Sequence, residues 1–198
     1  MGRESTARPL FHAGCSGTEI NQPGRMATVL CPRSALVAIG SNLGPSKELI
    51  HLAVDLLQKR VDARIKISSL WKTTPMDCPE GSPTFVNAAM ALHASYDLDP
   101  ESLLRTLLSI EAKLGRKRSG IANEPRPMDM DLIACGPHQR ESTLLTLPHP
   151  RFHLRPFVLA PLSEVAPDWI LPGQEKTIGT LWLDMKESQS NLGLSPLT

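Results

Sequence analysis

The chain has 198 residues, of which 41% are hydrophobic and 21% charged, so it has enough apolar material for the core of one domain and is not a disordered chain. Its 21 basic and 20 acidic side chains give a net charge of +1, which excludes the broad cationic field of a general nucleic-acid binder. Four Phe, three Trp and one Tyr are too few for a row of base-stacking platforms, and we expect no nucleic-acid partner.

The cysteines and the two ends of the chain predict its compartment and its domain limits. No apolar stretch reaches the roughly 20 residues that cross a bilayer, and the four cysteines lack paired spacing, so we expect a cytoplasmic protein with free thiols and no membrane partner. Residues 1–33 are predicted to be a disordered extension, although Arg3, Arg8 and Arg25 leave an organellar transit peptide open. Residues 188–198 are predicted to be a loose tail, which leaves 34–187 as the domain.

Hydrophobic periodicity predicts the secondary structure in chain order. It indicates a buried strand over 35–39, a helix that starts near Ser46, strands over 64–71 and 86–92, a helix from Asp99 to Gly115, a strand from Pro127, and a last helix around 177–186. The proline-rich stretch 74–84 is predicted to be an irregular loop. The order of these elements predicts an α+β, ferredoxin-like split β-α-β fold, an antiparallel-rich sheet with helices on its faces.

The segment MDMDL carries two aspartates that a strand would place on one face. Asp129 and Asp131 are two positions apart, so their Cα atoms would lie roughly 7 Å apart and both carboxylates could reach one group of cations. Two close carboxylates that leave room for water and phosphate suit Mg²⁺. Taken alone, so short a motif is more often a solvated strand edge.

Basic residues around this strand make a ligand site a better interpretation than a solvated strand edge. The run from Glu111 to Arg126 contains five basic and two acidic residues directly before the aspartates. A helix dipole would account for Lys113 but not for Arg126. One guanidinium group can donate two parallel hydrogen bonds to the oxygens of a phosphate. Arginines next to two metal-binding carboxylates therefore favour a nucleoside triphosphate as the ligand.

A second basic group lies in PHPRFHLRPF. His149 and His153 have the spacing of a zinc pair on a helix, but the surrounding prolines exclude that helix, and we predict phosphate contacts for His149 and Arg155 instead. The glycine-rich segment GSNLG lacks the patterns of a P-loop and of a dinucleotide site, and we interpret it as a tight turn before a helix.

Six ordered blocks of the chain resemble the 6-hydroxymethyl-7,8-dihydropterin pyrophosphokinase family of folate synthesis. The blocks cover about 36–172 and are ALVAIGSNLG, SSLWKTTP, FVNAA, IEAKLGRKR, PRPMDMDLI and LPHPRFHLRPFVLAPL. The resemblance implies an enzyme that transfers the diphosphate of ATP to the hydroxymethyl group of a reduced pterin and releases AMP. It also implies ATP as co-substrate, two Mg²⁺ ions and small-molecule partners, with a monomer as the simplest assembly.

The resemblance further implies roles for single residues. Asp129 and Asp131 would bind the metal ions and, with Arg116 and Arg126, would form the catalytic group. The implied ATP site consists of Glu111, Arg116, Arg118, Arg126, Thr146, His149 and Arg155. The implied pterin pocket consists of Thr73, Thr74, Met76, Phe85, Asn87 and Phe157. Aromatic faces and an amide suit a flat heterocycle with polar edges, although a single Phe is more often an ordinary core residue.

The loop before Arg126 departs from the family pattern. Ala122, Asn123 and Glu124 stand where the best-known members have Arg, Trp and Gly, so the predicted lid over the nucleotide has lost a cation. Two alternatives follow from this change. The chain would be a catalytically reduced nucleotide- or pterin-binding module of the same fold, or a Mg²⁺-dependent transferase that acts on a different pterin alcohol.

Overall fold

The structure is a computed structural model that describes residues 18–20, 26–76, 78–117, 120, 123–189 and 191–197. The strands are Thr18–Ile20 (β1), Met26–Val29 (β2), Ser34–Ser41 (β3), Ala63–Ile67 (β4), Trp71–Thr73 (β5), Phe85–Ala94 (β6), Asp129–Cys135 (β7), Arg140–Glu141 (β8), Thr146–Leu147 (β9), Trp169–Ile170 (β10) and Leu194–Pro196 (β11). The α-helices are Ser46–Gln58 (α1), Pro100–Lys113 (α2), Pro156–Val165 (α3) and Ile178–Ser188 (α4). Within these described ranges, no helix combines the length and apolar character needed to span a membrane.

The central sheet has the predicted split β-α-β topology. Its strand order is β11-β5-β6-β3-β7, and β4 pairs with the far half of β6. All of these pairs are antiparallel, with β3 between β6 and β7. The register places Gly40 of β3 opposite both Asn87 of β6 and Asp129 of β7, and it places Ala38 opposite Asp131. Residues from three strands therefore meet at one end of the sheet.

Helices cover both faces of the sheet. On one face α1 and α2 enclose a core that includes Leu57, Met90 and Met130. On the other face α3 and α4 enclose a core that includes Leu36 and Ile133. Because side chains alternate along a strand, Asp129 and Asp131 share the α3 face with Ile133.

The predicted strand over 64–71 is wrong in its continuity, because it is two strands separated by residues 68–70. Ser68 interrupts it: its backbone N–H donates to Ala89 O at 2.9 Å, and its Oγ accepts from Ala89 N at 2.9 Å. A side-chain hydroxyl thus replaces a backbone acceptor, and β5 continues along β6 as a separate strand. The predicted loop over 74–84 is confirmed in its described residues, which contain no helix or strand.

Two predictions about the ends need correction. Within the predicted disordered extension 1–33, β1 pairs with β2, and β2 pairs in parallel with β10; Leu30 is 3% exposed and belongs to the core. Residues 1–17 and 21–25 lie outside the described residues. The predicted loose tail 188–198 contains β11, which pairs with the edge of β5. In both places a short segment gains backbone hydrogen bonds from a strand edge far away in the sequence.

Candidate active site

The candidate site lies at the end of the sheet where β3 and β5 finish and β6 and β7 begin. Ala38 and Gly40 are small, so they leave space between the sheet and the start of α3. Arg155 is the N-cap residue of α3, and Pro156, with its fixed φ angle, starts the helix. This helix start brings Arg155 and Phe157 into the same cavity as the two aspartates of β7.

Two arginines hold the carboxylate of Asp129. Arg116 Nη1 donates to Oδ1 and Arg126 Nη2 donates to Oδ2, so each carboxylate oxygen has its own guanidinium. The three side chains are 15–17% exposed. Arg126 also has a buried Nε without a hydrogen-bond partner among the described residues. A buried guanidinium N–H without a partner is an available donor for an oxygen of a bound anion.

Glu111 binds the same nitrogen of Arg116, Nη1, that donates to Asp129. It lies in the last turn of α2 and is 2% exposed. Its Oε1 accepts from Arg116 Nη1 at 2.6 Å and from the backbone N–H of Met130 at 2.7 Å. Because a buried carboxylate needs such partners, Glu111 connects α2, the segment after it and β7 at the point where Asp129 begins.

Asp131 has a different environment from Asp129. Its nearest recorded cation is Arg155, with Nη1 and Oδ2 3.8 Å apart, and its side chain is 41% exposed. Loss of hydration in the cleft, followed by repulsion from Asp129, raises the pKa of the Asp131 carboxyl to about 6, against the opposing charge of Arg155. A carboxylate whose charged form is disfavoured in this way is stabilised when a further cation binds beside it.

The donor set of this acidic pair fits Mg²⁺. Within the described part of the chain there is no cluster of three or more His, Cys, Asp or Glu side chains suited to a metal ion, so the pair stands without a third protein ligand of these types. Mg²⁺ is commonly held by one or two carboxylates together with water and substrate phosphates. Asp129 and Asp131 lie on one face and border open clefts, which leaves room for those further ligands.

A narrow pocket of about 60 Å³ extends from the aspartates between the sheet and α3. On its sheet side, Asn87 Nδ2 donates to Thr73 Oγ1 at 2.7 Å, and both side chains are buried. Gly40 makes this possible, because a Cβ atom at position 40 would lie 2.6 Å from Asn87 Oδ1. The amide of Asn87 therefore keeps its oxygen directed along the pocket wall beside Gly40.

Aromatic rings and guanidinium groups alternate in the same pocket. Arg126 lies over the ring of Phe85 at 5.4 Å, and Arg155 lies over the ring of Phe157 at 5.6 Å. Thr74 and Met76 contribute to the wall as well. All six residues predicted for the pterin pocket thus line one cavity. The ring faces of Phe85 and Phe157, which contact planar guanidinium groups here, also suit a flat heterocycle.

Two wider clefts adjoin this pocket. One, of about 770 Å³, is lined by Glu111, Arg116, Thr146 and His149 among others. The other, of about 410 Å³, is lined by Arg116, Arg126, His149, Arg151 and Arg155 among others. Asp129 and Asp131 border the narrow pocket and both clefts. The acidic pair therefore stands at the junction of all three spaces.

His149 faces both clefts as a neutral ring. Its Nδ1 accepts from the backbone N–H of Arg151 at 3.2 Å, and the backbone N–H of His149 donates to Ile133 O at 2.8 Å. Because Nδ1 is an acceptor, Nε2 carries the proton and is a donor. Burial, together with the charges of Arg155 and Arg151, lowers the pKa of His149 to about 4. Near neutral pH this side chain can donate a hydrogen bond to an anion without adding charge.

The structure gathers the predicted residues and adds others. Arg118 and Ala122 lie outside the described residues. The sequence analysis did not assign Gly40, Asn42, Cys78 or Arg151 to the site, and it considered Asn123 only as part of the lid. All of these residues except Asn42 line the cavities. Asn42 Oδ1 accepts from the backbone N–H of Arg126 at 2.7 Å, and its Nδ2 donates to Pro83 O at 3.3 Å. GSNLG thus does more than form the turn that we predicted. For Gly40, the signal in the sequence was a glycine at the end of a strand, which often marks a place where another group comes close to the backbone.

Comparisons with known proteins agree with this geometry. The family model described as 7,8-dihydro-6-hydroxymethylpterin-pyrophosphokinase (HPPK) matches residues 36–167. The 2-amino-4-hydroxy-6-hydroxymethyldihydropteridine pyrophosphokinase of Synechocystis sp. is 40% identical over 144 residues, which cover 73% of this chain and 72% of that protein. The enzyme of the same name from Porphyromonas gingivalis is 37% identical over 139 residues, 69% of this chain and 92% of that protein.

The similar solved structures show the same fold at low identity. The crystal structure of Plasmodium falciparum HPPK-DHPS wild type with pteroate has a TM-score of 0.62 at 14% identity, and it covers 82% of this chain. This chain spans 47% of that one, about half its length. On the family match and on the 37–40% identity to relatives that it covers to more than two thirds, the chain belongs to the 7,8-dihydro-6-hydroxymethylpterin-pyrophosphokinase family.

Proposed function

We propose that this chain transfers the diphosphate group of ATP to 6-hydroxymethyl-7,8-dihydropterin and releases AMP. The observation that carries the proposal is the position of Asp129 and Asp131, which border the narrow pocket and both wider clefts. A pterin alcohol in the pocket and a nucleotide in the clefts would meet at the acidic pair. Family membership supports the same reaction.

In the narrow pocket, the pterin ring would lie against Phe85 and Phe157. Asn87 offers an amide to the polar edge of the ring, and the amide is held by Thr73. Guanidinium groups occupy the aromatic faces in the structure, so the ring would take the place of Arg126 and Arg155 there. Both cations would then be available to the phosphates.

In the clefts, the triphosphate would meet several cationic or neutral donors. Arg116, Arg126, Arg151 and Arg155 line one cleft, and His149 lines both. The buried Nε of Arg126 supports this assignment, because a phosphate oxygen would supply the acceptor that it lacks. Thr146 and Glu111 border the other cleft, where Glu111 acts by holding Arg116. We assign Arg118 to the same site on the family resemblance alone.

Asp129 and Asp131 would hold Mg²⁺, and we propose two ions. Bound there, the ions would neutralise phosphate charge and orient the triphosphate. The hydroxymethyl oxygen attacks the β-phosphorus, the bond from that phosphorus to the α,β-bridging oxygen breaks, AMP leaves, and the hydroxyl proton passes to solvent. Such a transfer depends mainly on positioning and charge stabilisation, which the arginines of this chain supply.

Three further expectations remain part of the proposal. The partners are small molecules, and we keep a monomer as the simplest assembly. We also keep a cytoplasmic location, because Cys31, Cys78 and Cys135 are free thiols.

The direct test is AMP release from ATP and Mg²⁺, with and without 6-hydroxymethyl-7,8-dihydropterin. We expect AMP in amounts equal to the diphosphorylated pterin, and none above background without the pterin. ATP binding without AMP formation at high enzyme concentration would instead favour a binding module, and AMP formation with another pterin alcohol alone would favour a different transferase.

A further inference from the structure

The C-terminal segment 191–197 lies against the wall of the narrow pocket, although it is outside the part of the chain that the family model matches. Its strand β11 pairs antiparallel with the outer edge of β5, with Leu194 opposite Thr73 and Pro196 opposite Trp71. Because β5 also pairs with β6, β11 makes β5 an interior strand of the sheet. The pocket residues of β5 are thus supported from both sides.

One carbonyl group of this segment accepts two hydrogen bonds from a residue of the pocket. Gly193 O accepts from the backbone N–H of Thr74 at 2.9 Å and from Thr74 Oγ1 at 3.2 Å. The segment is held on either side of this contact. Gly193 N–H donates to Asn191 Oδ1 at 2.9 Å, and Leu197 N–H donates to Leu70 O at 2.7 Å. Both donors of Thr74 therefore have the same fixed acceptor.

Thr74 is the first residue of the loop that forms one side of the pocket. Met76 and Cys78 of this loop also line the pocket. At the far end of the loop, Pro83 O accepts from Asn42 Nδ2 at 3.3 Å. The loop is tied to the body of the protein at both ends, at Thr74 by Gly193 and at Pro83 by Asn42. Release of the tie at Thr74 would loosen the pocket wall but not the clefts, whereas Asn42 also holds the backbone of Arg126 in one cleft.

Position 193 requires glycine for two reasons. Its φ angle is +61°, a conformation that residues with a side chain rarely adopt. In addition, a Cβ atom there would overlap Thr74 Oγ1. Any other residue at this position must therefore move away from Thr74 or displace it.

We propose that Gly193 is a positioning residue for the pterin: through Thr74, the C-terminal segment sets the affinity of the narrow pocket for the pterin alcohol. This inference rests on the proposed function and deepens it. The segment lies on the outer side of β5, away from Thr146 and His149, so the nucleotide clefts do not depend on it.

The test is Gly193→Ala, with calorimetric binding of 6-hydroxymethyl-7,8-dihydropterin in the presence of Mg²⁺ and a non-hydrolysable ATP analogue. We expect the Kd of the pterin to rise about fivefold, the effect of about one net hydrogen bond. The Kd of the ATP analogue should stay within about twofold. Ser195→Ala in the adjoining strand β11 is the matched control, because the side chain of Ser195 is exposed, and it should change neither constant.

Two further measurements separate positioning from a general loss of stability. In Gly193→Ala the amide hydrogen of Thr74 should exchange faster, while amides in the middle of β6 keep their wild-type rates. Combined with Thr74→Ala, which removes the overlapping oxygen, Gly193→Ala should have a smaller effect on the pterin Kd than it has alone.

Unchanged exchange at Thr74, an unchanged pterin Kd, or an equal loss of ATP-analogue affinity would overturn the inference. A wild-type protein that binds both ligands but releases no AMP would contradict the proposed function and leave this inference standing. If wild type bound neither ligand, the pterin role would fail with it.

Discussion

The guanidinium group of Arg126 binds the carboxylate of Asp129, three residues further along the chain. Arg116 binds the other oxygen of the same carboxylate. One of the two proposed metal ligands is thus neutralised by the cations that we assign to the triphosphate. We infer that ligand binding is an exchange, in which Mg²⁺ takes the carboxylate and phosphate oxygens take the guanidinium groups.

This exchange predicts that Mg²⁺ binds weakly without nucleotide. Arg116 and Arg126 must leave Asp129, so without a phosphate Arg116 keeps only Glu111 as a counter-ion and Arg126 loses the partly buried carboxylate that it binds. Calorimetry should show Mg²⁺ binding to the free protein at least about tenfold weaker than to its complex with a non-hydrolysable ATP analogue. Equal Mg²⁺ affinity in both states would show that the two arginines do not compete with the ion.

Glu111→Gln should destabilise the protein strongly. The buried carboxylate accepts from Arg116 and from the backbone of Met130, and its neutralisation leaves Arg116 with one fewer counter-ion. We expect a loss of about 2–4 kcal/mol in the free energy of unfolding, measured with urea. Glu101→Gln on the same helix is the matched control: its side chain is 46% exposed and forms long ion pairs, so the loss should stay below about 0.5 kcal/mol.

Gly40→Ala should damage the pterin pocket through Asn87. The added Cβ atom would lie 2.6 Å from Asn87 Oδ1 and would force the amide away from Thr73. We expect at least about a tenfold rise in the KM for the pterin, and a KM for ATP within about twofold of wild type. The same overlap should lower the free energy of unfolding. If adding Asn87→Ala to Gly40→Ala restored none of that free energy, or if the KM for the pterin were unchanged in Gly40→Ala, the overlap with Asn87 would not have the effect expected here.

His149 should make the stability depend on pH below neutrality. Burial and Arg155 lower its pKa from 6.5 to about 4. Between these values the unfolded chain binds a proton that the folded protein does not, so the contribution to stability is complete above pH 6.5 and is lost as the pH falls towards 4.

His149→Asn tests this dependence, since Asn Oδ1 replaces Nδ1 as the acceptor for Arg151 N–H. When the pH is lowered from about 7.5 to about 4.5, the free energy of unfolding should fall by about 1–2 kcal/mol less in the variant than in wild type. This difference is smaller than the full pKa shift would give, because the His149 ring is partly exposed to solvent. Parallel loss in both proteins would contradict a neutral His149.

Local patterns predicted the parts of the structure that depend on local chemistry. Alternation placed Asp129 and Asp131 on one face of β7, and Asp99 caps α2 by accepting from Ser102 N–H at 2.8 Å. Contacts between distant segments had no such signal. Asn42 holds Arg126, 84 positions away, and Gly193 holds Thr74, 119 positions away. Both depend on which strand edges meet, and no periodicity within a single segment specifies that.

AMP release by Asp131→Asn shows directly whether the acidic pair is the metal site. This substitution keeps the size of the side chain and removes the charge that would bind Mg²⁺, so kcat should fall at least about 1000-fold with little loss of unfolding free energy. Asp62→Asn, an exposed aspartate on the connection before β4, is the matched control and should keep the wild-type rate. Wild-type turnover in Asp131→Asn would contradict the account, because the acidic pair would then not be the metal site at which the diphosphate is transferred.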